Sequence, residues 1–101
     1  MRVTVTTRGR LVPTVRSYAE QKLQRLERHA HLHDINMVIE HEEHKIPPCS
    51  AEVIVHLSQS RVAAKADGHT AQEAVDLAVS KADRQVTRLK DRAVDHRAQL
   101  W

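Results

Sequence analysis

Lys81, Arg84, Arg88 and Arg92 recur at spacings of three and four late in this 101-residue sequence. On a helix that spacing stacks the four side chains into one row. The chemistry of such a row is electrostatic rather than covalent. Regularly spaced cations on a stiff rod suit a regularly charged polymer, and nucleic acid is the obvious one. Lys90 falls in the same segment. Lys22, Arg25 and Arg28 form a second basic set with similar spacing. Both sets are candidate phosphate contacts, with arginine able to pair bidentately.

The other reactive residue types do not assemble into a site on paper. His29, His31 and His33 alternate, and His41 and His44 follow soon after. His41-Glu-Glu-His44 separates its histidines by three positions, whereas the zinc-protease helix motif needs four. The reading is surface histidines that tune charge near neutrality, with no metal and no cofactor. Cys49 is the sole cysteine, so an internal disulfide and a C-x-x-C pair are both excluded. No nucleophile–base constellation stands out. The expectation is a binding protein without a small-molecule substrate, not an enzyme.

Composition narrows the class of nucleic-acid binder. Net charge is only +3, so the argument rests on where the cations sit, not on their total. Phe is absent, and Tyr18 and Trp101 are the only aromatic residues. This weakens any reader that stacks unpaired bases on an aromatic platform. A protein that grips folded RNA through phosphates and shape needs none. The N-terminus, Met-Arg-Val-Thr-Val-Thr, carries no long apolar run, so neither a secretory signal nor a membrane partner is expected. Cytoplasm is the default compartment.

The elements that must position these cations follow from periodicity. Arg2 to Thr7 alternates as a strand and Gly9 ends it. Pro13 suits a helix start, and Val15, Ala19, Leu23, Leu26 and Ala30 follow at helical spacing. The His29–His33 stretch closes that helix. Strands are expected over residues 35–40, 51–58 and 61–66, with residues 43–50 as a loop around two prolines. Thr70-Ala-Gln-Glu73 is a capping box that opens the last helix. Its apolar stripe is Ala71, Val75, Ala78, Ala82, Val86, Leu89 and Ala93. The basic row lies roughly 115° round from it. Glu73, Asp76, Asp83 and Asp91 occupy a further sector. The whole reads as one α+β domain over 1–101, ordered β-α-β-β-β-α. Both helices should pack on one face of a four-stranded mixed sheet.

These elements and several local strings resemble the ribosome hibernation-promoting factors, also called ribosome-associated translation inhibitors. Ala74-Val-Asp-Leu-Ala-Val-Ser-Lys-Ala-Asp-Arg-Gln-Val-Thr-Arg-Leu-Lys90 is similar to a family segment with Ala-Ile-Asp, then Lys-Leu-x-Arg-Gln-Leu, then further lysines. Asp76, Lys81, Arg84, Gln85, Arg88 and Lys90 fall on those positions. Val15-Arg-Ser-Tyr-Ala-Glu-Gln-Lys-Leu-Gln-Arg-Leu-Glu27 resembles the family's opening helix. The chain departs from the pattern at His69-Thr-Ala-Gln-Glu73, where the usual aromatic is missing. Val12 replaces the usual threonine before the first helix, so that helix lacks a side-chain cap. Ala82 and Val86 replace larger residues, which implies a thinner core.

The resemblance implies a domain that binds the small ribosomal subunit, both 16S-type rRNA and nearby ribosomal proteins. It would occupy the decoding region, where tRNA and mRNA otherwise sit, block translation, and store ribosomes in hibernation under stress. Lys81, Arg84, Arg88, Lys90 and Arg92 would be the main rRNA contacts, with Lys22, Arg25 and Arg28 second. Three other readings of the residues stay open, the least favoured being a small metal enzyme that uses the histidine cluster. Another is a general double-stranded RNA binder. The last is a protein-interaction module using the open sheet face or Leu100-Trp101.

Overall fold

The computed structural model describes residues 2–29 and 32–99, with side chains of the last helix described as far as Leu89. The chain runs β1 (Arg2–Arg8), α1 (Thr14–Leu23), a 3-10 segment (Gln24–Arg28), β2 (Leu32–His41), β3 (Cys49–Leu57), β4 (Arg61–Gly68) and α2 (Ala71–Gln99). The strands form one sheet in the order β1-β2-β3-β4. β1 pairs parallel with β2, and the other two pairings are antiparallel. This is the α+β, four-stranded mixed sheet with two helices that periodicity predicts.

Alternation decides the sheet's two faces. Val5, Ile35, Met37, Ile39, Val53, Val55 and Val62 point to one side and are buried. Both helices cover that side, α1 over β1 and α2 over β3 and β4. Ala82 and Val86 are fully buried in this core, as are Ala74, Val75 and Ala78. Small residues on α2 bring its axis close to the sheet. Gly68 leaves no room for a side chain: a Cβ there would lie 2.7 Å from the backbone nitrogen of Ala74. Gly9 has φ of 85°, and a Cβ there would meet the His41 carbonyl oxygen at 2.3 Å. A side chain at either position would force backbone apart.

Several boundaries differ from the sequence reading. Helical spacing predicts a first helix that runs through Leu26 to Ala30. Instead α1 ends at Leu23 and tightens to 3-10 geometry through Arg28. Leu23, Leu26 and His29 are the buried positions there, spaced by three. A 3-10 helix has three residues per turn, so that spacing keeps all three on one face. His33 lies within β2 rather than in a helix end. Cys49 and Ser50 belong to β3, not to the preceding loop, because Cys49 pairs with His41 and Gly68 and is buried. β4 likewise continues through Asp67 and Gly68. Ala30, Leu100 and Trp101 lie outside the described residues.

The expected caps are in place. Thr70 Oγ1 accepts a hydrogen bond of 3.1 Å from the Glu73 backbone N–H. α1 starts at Thr14, preceded by Pro13 at the cap position with no side-chain cap. Arg16 supplies another anchor, donating to the Val5 carbonyl and tying α1 to β1.

Candidate nucleic-acid interface

Two surfaces compete as the anion-binding face. The open side of the sheet carries Arg2 and Arg8 on β1, Asp34 and Glu40 on β2, Glu52 on β3, and Arg61, Lys65 and Asp67 on β4. That is four cations against four anions, so the face is balanced. A depression of about 250 Å³ on it mixes Arg8, Lys45 and Lys65 with Glu40, Glu42 and Glu52. Glu42 shares a hydrogen bond with Glu40, which raises its pKa above the usual carboxylate value, and the charge of Glu40 adds to the shift. Such a face does not favour a polyanion.

The flank of α2 is different. Arg84 and Arg88 are exposed, and neither has an ion-pair partner among the described residues. Lys81 donates one hydrogen bond of 3.0 Å to the Lys65 carbonyl on β4. An ammonium has three donors, so Lys81 keeps others for a ligand. This flank therefore overhangs the β4 edge. Lys90 and Arg92 follow on the same helix, with side chains outside the described residues. The helix holds the row rigidly, so its spacing does not depend on loop order.

The basic set on α1 and the 3-10 segment has another environment. It faces the opposite flank of α2, where the acids lie. Lys22 Nζ is 3.6 Å from Asp76 Oδ1 and 5.4 Å from the centre of the Tyr18 ring. Tyr18 itself donates a 2.7 Å hydrogen bond to Asp76, which raises the phenol's pKa. Arg28 reaches both oxygens of Asp83, at 3.0 and 2.8 Å, and Arg25 lies 3.5 Å from it. The two arginine side chains remain 61% and 56% exposed. Each guanidinium carries five donors, so both still present N–H groups outward.

Spacing groups Asp83 with Glu73, Asp76 and Asp91 in one acidic sector and leaves its burial open, and it reads His29 as a surface histidine; the structure buries both. His29 Nε2 lies 2.7 Å from Asp83 Oδ1. Burial alone would raise the Asp83 carboxyl. Hydrogen bonds from His29 and Arg28, and their charges, outweigh that and hold it below the ordinary carboxylate value. A signal was present: Asp83 sits between Val79 and Val86, both buried, on the edge of the apolar stripe. The two basic sets are thus separated by the acids of α2 rather than merged into one patch. Among the described residues, no three His, Cys, Asp or Glu side chains converge to hold a metal. No described helix is long and apolar enough to cross a membrane.

The sequence profile of the sigma 54 modulation protein / S30EA ribosomal protein family matches residues 3–94. The chain belongs to that family. The hibernation-promoting factors that the sequence resembles are the same group. Solved structures agree with the S30EA fold. A ribosomal subunit interface protein from Coxiella burnetii superposes with a TM-score of 0.77 at 22% identity, over 90% of this chain and 99% of that one. The N-terminal domain of Thermus thermophilus Protein Y gives 0.73 at 26% identity, over 88% of this chain and 99% of that one. No curated protein sequence matches. Within the S30EA assignment, the departures at residues 69–73 are local, because Thr70 still caps α2.

Proposed function

We propose that this S30EA-family protein associates with the ribosome by binding the small subunit at its decoding region. The basic flank of α2 would lie along rRNA phosphates, with Arg84 and Arg88 central and Lys81, Lys90 and Arg92 beside them. Arg25 and Arg28 would add contacts from the far side of the acidic row, and Lys22 would be the weakest because Asp76 already holds it. Occupying the tRNA and mRNA sites would block translation without chemistry on any substrate. The ribosome would be stored inactive in the cytoplasm under stress.

The observation that carries this reading is the Arg84–Arg88 pair, exposed and without an ion-pair partner among the described residues, on a rigid helix beside a charge-balanced sheet. Family membership supports the ribosome as the source of the phosphates. The test is co-sedimentation of the purified chain with small subunits and whole ribosomes through sucrose, at low and high salt. Near-stoichiometric binding to the small subunit that weakens with salt is the expected result, because phosphate contacts release counterions. Absence from the ribosomal fractions at low salt would refute it.

A further inference from the structure

A groove of about 230 Å³ opens between the start of β4 and the middle of α2, lined by Arg61, Val62, Gln85, Arg88 and Leu89. β4 is an outer strand of the sheet, so the groove opens at the sheet's edge. Val62 is buried and Leu89 is packed against the core, which gives the groove an apolar wall fixed by the fold. Arg61 and Arg88 are exposed and also line it, Arg61 from the outer strand, where it lies on the open side of the sheet at the β4 edge. The half-buried Gln85 amide makes no side-chain hydrogen bond to any described residue.

These five residues combine three chemistries in one place. Two guanidinium groups suit a phosphate. An apolar wall suits the flat face of a ring. A primary amide offers donors and an acceptor to a ring edge. Phosphate contacts alone would need neither the amide nor the apolar wall. The volume has room for one base, not for a duplex. RNA presents such groups where a nucleotide is unstacked in a loop or bulge.

We infer that this groove takes one unstacked nucleotide. Its base lies against Val62 and Leu89, its polar edge meets Gln85, and its phosphate sits between Arg61 and Arg88. The inference rests on the RNA-binding reading above and adds a base-reading subsite to it. Leu89 takes the place of an aromatic platform.

The experiment titrates the isotope-labelled full chain with each of four nucleoside 5′-monophosphates and, as control, ribose 5-phosphate. The readouts are the side-chain amide signals of Gln85 and the methyl signals of Val62 and Leu89. The expected result is saturable shifts with at least one monophosphate, binding about tenfold tighter than ribose 5-phosphate, the scale of one hydrogen bond to the base edge. Gln85→Ala, a change to a better helix former on a partly exposed position, should bring the two affinities within about twofold. Equal affinity of wild-type protein for nucleotide and sugar phosphate would reduce the groove to a phosphate site and overturn the inference. Absence of any shift would overturn it too. Sucrose co-sedimentation of the same preparation separates the two claims: a chain that binds subunits but not nucleotide loses only the groove.

Discussion

His29 Nε2 approaches Asp83 Oδ1 to 2.7 Å across 54 residues of sequence, and the two side chains are 5% and 6% exposed. This contact pins the end of the 3-10 segment to the middle of α2. Arg28 binds the same carboxylate from the solvent side. Asp83 is thus both the structural joint between the two helices and the anchor of two cations proposed to meet RNA.

Removing that carboxylate should loosen the joint. Asp83→Ala leaves His29 buried without this partner and frees Arg28. A loss of about 2–3 kcal/mol in urea unfolding is expected, below the range for fully buried pairs because Arg28 and Arg25 are largely exposed. A loss under about 0.5 kcal/mol would show that the contact is incidental.

The same carboxylate makes stability depend on acid. Its pKa is lower in the folded protein than the ordinary value of 3.8. The unfolded chain therefore binds the proton more readily, and the contribution is fully present above the unfolded pKa. It is lost as pH falls from about 4 through the depressed folded pKa. Unfolding curves from about pH 6 down to about pH 2 should show that decline in the wild type, and Asp83→Asn should flatten its share of it.

Charge reversal on the free flank of α2 should separate binding from folding. Arg84→Glu with Arg88→Glu touches two exposed side chains, so the melting temperature should move by only a few degrees. Binding to the small subunit should vanish. The milder pair Arg84→Ala and Arg88→Ala should lower the slope of log K against log salt by about two, one for each phosphate no longer paired. Retained binding by the folded charge-reversed protein would remove these residues from the interface.

The N-terminal cap of α2 offers a local check on the fold. Thr70→Ala deletes the acceptor for the Glu73 N–H and should cost about 1 kcal/mol. Thr70→Ser keeps the oxygen and should recover most of that loss in the same thermal melts.

Leu26 tests the 3-10 segment. Its side chain is fully buried although it lies beyond the end of α1. Leu26→Ala should cost about 2–5 kcal/mol, depending on how far the neighbouring turn collapses into the space. A cost near zero in chemical denaturation would mean that this segment does not contribute to the core.

The strands, the capping box and the two apolar stripes were legible in the sequence because each follows from a local rule. Val3 and Val5 alternate with threonines, Thr70 and Glu73 stand at capping distance, and Ala71 through Leu89 repeat at the period of a helix. Order and polarity of these elements were enough to give the sheet with both helices on one side. The row of cations on α2 was legible for the same reason, since it depends only on helical geometry.

The environment of those cations was not legible, because it depends on which helix flank faces which neighbour. Only tertiary packing puts Asp76 and Asp83 toward α1 and the 3-10 segment, so that Lys22, Arg25 and Arg28 meet carboxylates while Arg84 and Arg88 meet none among the described residues. The change from α to 3-10 geometry after Leu23 likewise answers a packing demand, keeping Leu26 and His29 on the buried side. The groove between Arg61 and Gln85 joins residues from two elements whose proximity no spacing rule encodes. Periodicity along one segment is a property of the chain itself, and the sequence determined it. Burial, pairing and enclosure arise between segments distant in sequence, and only the folded structure decided them.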